Sequence, residues 1–166
     1  MRWGRAAAAA GLVFLLTSCG AEFNPLYVEG AAAEPVIGWR DCPRADSDGI
    51  DEVGLYTWDK SSTVDEPGEL LWRIKSDHGA LLHRLRLGST PKGFTTLHAL
   101  TTTLEPGTTY ALRTNMKSED LVSGFLTFRP GQLRAGSGRI VFGSGKAESR
   151  KQYDARDDED FGCFND

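Results

Sequence analysis

A chain of 166 residues with 40% apolar and 25% charged residues supports one globular domain of ordinary composition, which excludes a multi-domain enzyme. A formal charge of -4 and the lack of any run of Lys or Arg argue against a nucleic-acid partner, which needs a clustered basic face.

The chain opens on a targeting pattern. Arg2 and Arg5 are the only charges before Cys19, Ala6 to Leu16 is an uncharged apolar run, and Thr17 and Ser18 are small. Eleven apolar residues fall short of the about 20 that a bilayer-crossing helix requires, so residues 1–18 are expected to be a removable signal. Leu16-Thr17-Ser18-Cys19 resembles the lipobox of bacterial prolipoproteins. The resemblance implies that the Cys19 thiol receives a diacylglyceryl group, that cleavage falls just before it, and that Cys19 becomes the acylated N-terminus. The membrane partner is then reached through the lipid anchor, on the extracytoplasmic face of the cell membrane; two or more acyl chains hold where one does so only marginally. An ordinary secretory signal is the alternative, and it exports the chain equally. Loss of residues 1–18 removes two Arg and no acid, leaving 17 basic against 23 acidic residues and a charge of -6, which anionic headgroups repel.

Residues 19–35, with Gly30, Ala31-Ala32-Ala33 and Pro35, read as a flexible tether, and the folded domain is expected over 36–166. Phe23 and Tyr27 are aromatic groups suited to the headgroup level or to loose contact with the domain. With Cys19 assigned to lipid, Cys42 and Cys163 remain, and an even pair in an exported chain suggests a disulfide clasping the two ends of the domain. A metal site or a reactive thiol is the alternative. For cysteines 121 positions apart, chain entropy sets an upper expectation of about 5 kcal/mol for the bridge.

From Val36 onward, short apolar segments alternate with Gly, Pro, Asp and Ser clusters. Strands are expected over Val36–Arg40, Asp51–Trp58, Leu70–Lys75, Leu82–Leu87, Phe94–Leu100, Thr109–Thr114, Gly124–Phe128 and Arg139–Phe142. Alternation is clear in three of them. Leu70, Trp72 and Ile74 oppose Arg73 and Lys75; Leu85 and Leu87 oppose Arg84 and Arg86; Tyr110 and Leu112 oppose Ala111 and Arg113. Gly and Pro interrupt every candidate helix of ten residues, so the chain reads as all-β.

Leu104-Glu105-Pro106-Gly107-Thr108-Thr109-Tyr110 resembles the corner between strands E and F of fibronectin type III and other immunoglobulin-like sandwiches. The resemblance implies an immunoglobulin-like antiparallel β-sandwich of seven to eight strands. It makes Tyr110 the corner tyrosine, its hydroxyl bonded back to nearby backbone, and places Trp72 between the sheets. Arg139–Phe142 would be an extra strand, and the Cys42–Cys163 clasp differs from the inter-sheet bridge of antibody domains.

No constellation assembles a catalytic site. His78 and His83 flank a turn near Asp77 and His98 lies in a strand, where a zinc site would need three or four convergent ligands. Gly136-Ser137-Gly138 and Gly143-Ser144-Gly145 read as turns, because no helix follows to form a nucleophile elbow or a phosphate cradle. Asp154, Asp157, Asp158, Glu159 and Asp160 lack the spacing of a calcium loop and read as a solvated acidic tail. The threonines between Thr90 and Thr109 suit the solvent side of edge strands, and Trp39, Trp58 and Trp72 suit a core, with one exposed at a sheet edge being the best pointer to a ligand. The expectation is a lipid-anchored envelope module without catalysis, metal or cofactor, contacting a protein or a glycan. The alternatives are a small hydrolase or metal-dependent enzyme with its site in the loops, and a small-ligand carrier.

Overall fold

The computed structural model describes residues 24–41, 49–116 and 122–163, so the signal, Cys19 and Cys42 lie outside it. Its elements are β1 (Leu26–Ala31), β2 (Glu34–Trp39), β3 (Ile50–Thr57), β4 (Leu70–Ala80), β5 (Arg84–Arg86), β6 (Thr95–His98), β7 (Tyr110–Met116), β8 (Val122–Phe128), β9 (Arg139–Phe142), β10 (Lys146–Ser149) and the short helix α1 (Arg150–Asp154). Ten strands thus replace the seven or eight expected. They form two five-stranded sheets, β10-β9-β1-β2-β5 (sheet I) and β6-β4-β3-β7-β8 (sheet II), and all pairings are antiparallel.

The inward faces follow from the alternation. Leu26, Val28, Ile37, Leu85 and Val141 of sheet I pack against Val53, Leu55, Trp72, Ile74, Leu112, Leu126 and Phe128 of sheet II in one core. Trp72 is completely buried there. At about 1.5–3 kcal/mol per buried large apolar side chain, this layer is the main favourable contribution to folding.

The stretch expected as a tether is corrected over its described part. Leu26–Ala31 is a central strand of sheet I, between β2 and β9, and the folded body begins some ten residues before Val36. Leu26 and Val28 point into the core while Tyr27 is buried on the opposite face. A strand buried on both sides shows no polar alternation, so it lacks the usual sequence mark. Gly30 takes a left-handed φ of 94° at the β1–β2 hairpin, where a side chain would press on the Glu34 carbonyl 3.1 Å away.

The acidic C-terminal stretch keeps its carboxylates exposed, as expected of a charge run, but it is folded rather than a tail. Ser149 and Gln152 exchange bonds in a capping box that starts α1, and a 3-10 turn follows over Asp158–Phe161. Tyr153 and Phe161 are buried with Tyr27, Ile140 and Cys163 on the outer face of sheet I. Arg40 fastens this roof. Its guanidinium donates to the carbonyls of Tyr153 (3.0 Å) and Arg156 (2.7 Å), pairs with Asp158 at 3.0 Å, and lies 4.6 Å from the Phe161 ring centre. The Tyr153 hydroxyl donates to the Pro25 carbonyl at 3.1 Å.

The β8 edge is closed as well. The Asn24 amide bonds both backbone groups of Phe125, and the Thr127 amide donates to the Gly143 carbonyl at 2.8 Å. These contacts occupy an edge that would otherwise recruit another strand.

Candidate binding face on sheet II

The outer face of sheet II is built by three strands in register. In β3, Val53 and Leu55 enter the core, so Gly54, Tyr56 and, just past the strand, Trp58 point out. In β7 and β8, Thr109, Ala111, Arg113, Phe125, Thr127 and Arg129 are the outward positions. Pairing aligns Gly54, Arg113 and Phe125 in one row and Tyr56, Ala111 and Thr127 in the next. The third row is Trp58, Thr109 and Arg129. Here the Trp58 amide donates to the Thr109 carbonyl at 3.1 Å, and Arg129 Nε donates to Thr109 Oγ1 at 3.0 Å.

The side chains cover this grid unevenly. The Tyr56 ring lies on Gly54, where a Cβ would come within 2.8 Å of it, and the Arg113 guanidinium stands 6.0 Å from the ring centre. Trp58 and Phe125 occupy opposite corners and their rings meet at 5.1 Å with a 54° tilt. Their meeting across the diagonal accounts for Ala111, the central residue, being fully buried although it points outward. The corner of Arg129 stays open. A pocket of about 200 Å³ lies there, lined by Thr109, Thr127, Arg129, Gln132, Ser144 and Gly145 along with Phe128.

Sheet I repeats the device and then covers it. Tyr27 lies on Gly38, where a Cβ would sit 2.1 Å from the ring, but the Tyr153 ring packs edge-on against Tyr27 at 5.3 Å and the Arg150 guanidinium lies 4.6 Å from its centre. Burial raises the Tyr27 phenol above its ordinary value, opposed in part by Arg150, and raises Tyr153 well above the tyrosine range.

Charge separates the two faces further. Arg40, Arg150 and Arg156 around the sheet I roof each pair with a carboxylate, at 3.0, 2.9 and 2.7 Å. On sheet II, Arg73 pairs with Glu52 at 2.5 Å, whereas Arg113 and Arg129 have no carboxylate within ion-pair distance among the described residues. Hydroxyls, an amide and an unpaired guanidinium are groups suited to holding a polar ligand.

A second cavity, a groove of about 550 Å³, runs between the Ala32-Ala33 turn, Leu87 and the Leu100–Pro106 segment. Thr101, Thr102 and Thr103 line it, so part of the threonine-rich stretch faces a cleft.

The remaining sequence candidates are dispersed. The Tyr110 hydroxyl accepts from the Glu105 amide at 2.9 Å, and Trp72 lies between the sheets. His78 and His98 are exposed on β4 and β6, and His83 Nδ1 lies 3.2 Å from Asp41 Oδ1 at the surface. Among the described residues no three His, Cys, Asp or Glu side chains converge as a metal site. Ser137 donates to the Arg134 carbonyl in a turn, while Ser144 lines the sheet II pocket. Cys163 is buried in the roof cluster, and its expected pairing with Cys42 falls outside the described residues. Among the described tryptophans, Trp58 is half-buried while Trp39 and Trp72 are buried. Arg113 was set on the outward face by the alternation of its strand, whereas Tyr56, Phe125 and Arg129 were not singled out; for Tyr56 the signal available was the alternation Gly54-Leu55-Tyr56-Thr57-Trp58. No protein-family model, curated protein or solved structure matches the chain.

Proposed function

We propose that this chain is an exported lipoprotein, anchored through Cys19 on the extracytoplasmic face of the membrane, and that it acts without catalysis as a binding module of the cell envelope. The observation that carries the binding role is the contrast between two equivalent faces. The Gly-Tyr platform of sheet I is roofed by the chain's own C-terminal segment, whereas that of sheet II carries Tyr56, Trp58 and Phe125 with the unpaired Arg113 and Arg129. Aromatic groups and Arg are the side chains most enriched where proteins make contacts.

We also infer that the sandwich is immunoglobulin-like. Supporting this, β1-β2-β5 follow the order of strands A, B and E, and β4-β3-β7-β8 that of C′, C, F and G, with Tyr110 opening the strand in the F position. The β9–β10 hairpin beside β1, and β6 beside β4, are additions to that plan. The Cys42–Cys163 bridge belongs to the same reading. What supports it is that Arg40, two residues before Cys42 in the sequence, is fastened to the segment that leads into Cys163.

The test is fractionation followed by cosedimentation. The Cys19→Ala protein should leave the membrane fraction, and continued membrane association would overturn the anchor. That soluble protein should sediment with purified envelope fragments, and Trp58→Ala or Arg113→Ala should weaken its retention several-fold. Retention indifferent to both substitutions would remove the assigned face.

A further inference from the structure

We propose that the open corner at Arg129 is a subsite for an acidic saccharide, taking one carboxylated sugar ring; this deepens the binding role assigned to sheet II and rests on it. The pocket supplies three hydroxyls, from Thr109, Thr127 and Ser144, each able to donate and accept. Such a lining matches a ligand that is itself rich in hydroxyls. Beside it, the Trp58–Phe125 ridge offers an apolar wall of the kind a sugar's C–H face can pack against.

Arg129 sets the charge. Its Nε is held on Thr109 Oγ1, which fixes the plane of the guanidinium, and its two Nη groups have no partner among the described residues. Two parallel donors on a fixed plane fit a carboxylate better than any neutral group. No acid lines the pocket, and Arg113 adds a second unpaired cation on the same face. In a chain of formal charge -4 this corner is a local reversal of sign, so an acidic ligand is drawn here rather than to the surface at large.

Size and rigidity narrow the ligand. About 200 Å³ is below the range of drug-sized cavities and suits one ring, with the rest of an oligomer running over the aromatic ridge. Gln132 fixes the walls: its side-chain oxygen accepts from the Arg129 amide at 2.8 Å and its nitrogen donates to the Gly145 carbonyl at 3.0 Å. A pocket held in place before the ligand arrives loses little entropy on binding.

The experiment titrates the soluble Cys19→Ala protein, by tryptophan fluorescence and calorimetry, with tetragalacturonate and a hyaluronan tetrasaccharide. The controls are the galacturonate methyl ester, maltotetraose and tetraglutamate. We expect saturable binding of at least one uronide, with affinity falling by about tenfold or more for the methyl ester and in Arg129→Gln, as loss of a charge-assisted bidentate pair requires. Thr127→Val, on the same pocket wall, should weaken binding with the fold intact by circular dichroism. No binding of either uronide, equal binding of tetraglutamate, or unchanged affinity in Arg129→Gln would overturn the saccharide subsite. Envelope retention that still depends on Trp58 in that event would leave the binding face standing, so the two proposals fail separately.

Discussion

Two glycines show how one residue type serves opposite ends on the two sheets. Gly38 and Gly54 each let a tyrosine ring lie flat against the backbone, but Tyr27 is trapped beneath Tyr153 whereas Tyr56 has nothing of the kind above it among the described residues. A Cβ at either position collides with the ring, so the cost depends on whether the ring can swing away. Gly38→Ala should therefore cost about 2 kcal/mol or more and loosen the roof, while Gly54→Ala should cost less than about 1 kcal/mol. Urea unfolding of both variants measures the difference, and equal losses would mean that Tyr56 is as confined as Tyr27. Residues of this kind are half legible in the sequence. Alternation marks Tyr56 and Trp58 as sharing a face and Trp72 as core, and the Pro-Gly corner points to Tyr110. Which tyrosine stays uncovered depends on a segment a hundred residues away.

Among the elements, the C-terminal roof is where sequence patterning was least informative and where pH acts most directly. Its acids read as a solvated run, and their side chains are exposed, but nothing in their spacing reveals that the segment folds against Arg40, which lies 118 positions from Asp158. Likewise β10, Lys146–Ser149, has no apolar residue beyond Ala147, and β1 lost its polar alternation when the roof buried Tyr27. Once assembled, the roof ties its stability to ionisations at both ends of the pH range. The side-chain bonds from Arg156 hold the Glu148 carboxyl below its ordinary value, so its contribution is present above pH 4.5 and is lost as pH falls through the depressed value. Burial raises the Tyr153 phenol, so its contribution is complete below pH 10 and drains away as pH climbs beyond that. Unfolding midpoints measured across pH should show a plateau between these limits. Glu148→Gln should flatten the acid limb and Tyr153→Phe the alkaline one; limbs as steep as in the parent chain would refute these assignments.

At the level of the whole molecule, the sheets are joined at one side by Asn24 and Gly143, and the two ends of the domain by the Arg40 cluster. The Cys42–Cys163 bridge would add a covalent link at the same place. Non-reducing peptide mapping should recover the two cysteines together, and reduction should cost about 3 kcal/mol or more in unfolding free energy. Two free thiols in the exported protein would rule the link out. The all-β class was legible because β4, β5 and β7 carry clean alternation. The grid on the outer face of sheet II was not, because its rows join residues such as Tyr56, Ala111 and Thr127, whose registry exists only after β3, β7 and β8 have paired.

The bond from the Asn24 side chain to Phe125 also sets a mooring length. In the lipoprotein proposed above, five peptide steps from the acylated Cys19 to a residue already fixed in the body span at most about 18 Å. A protein held on so short a line stays in the layer of the envelope next to the lipid, able to turn but not to roam. On that reading, a partner docking on the proposed face of sheet II must come down to that depth to meet it.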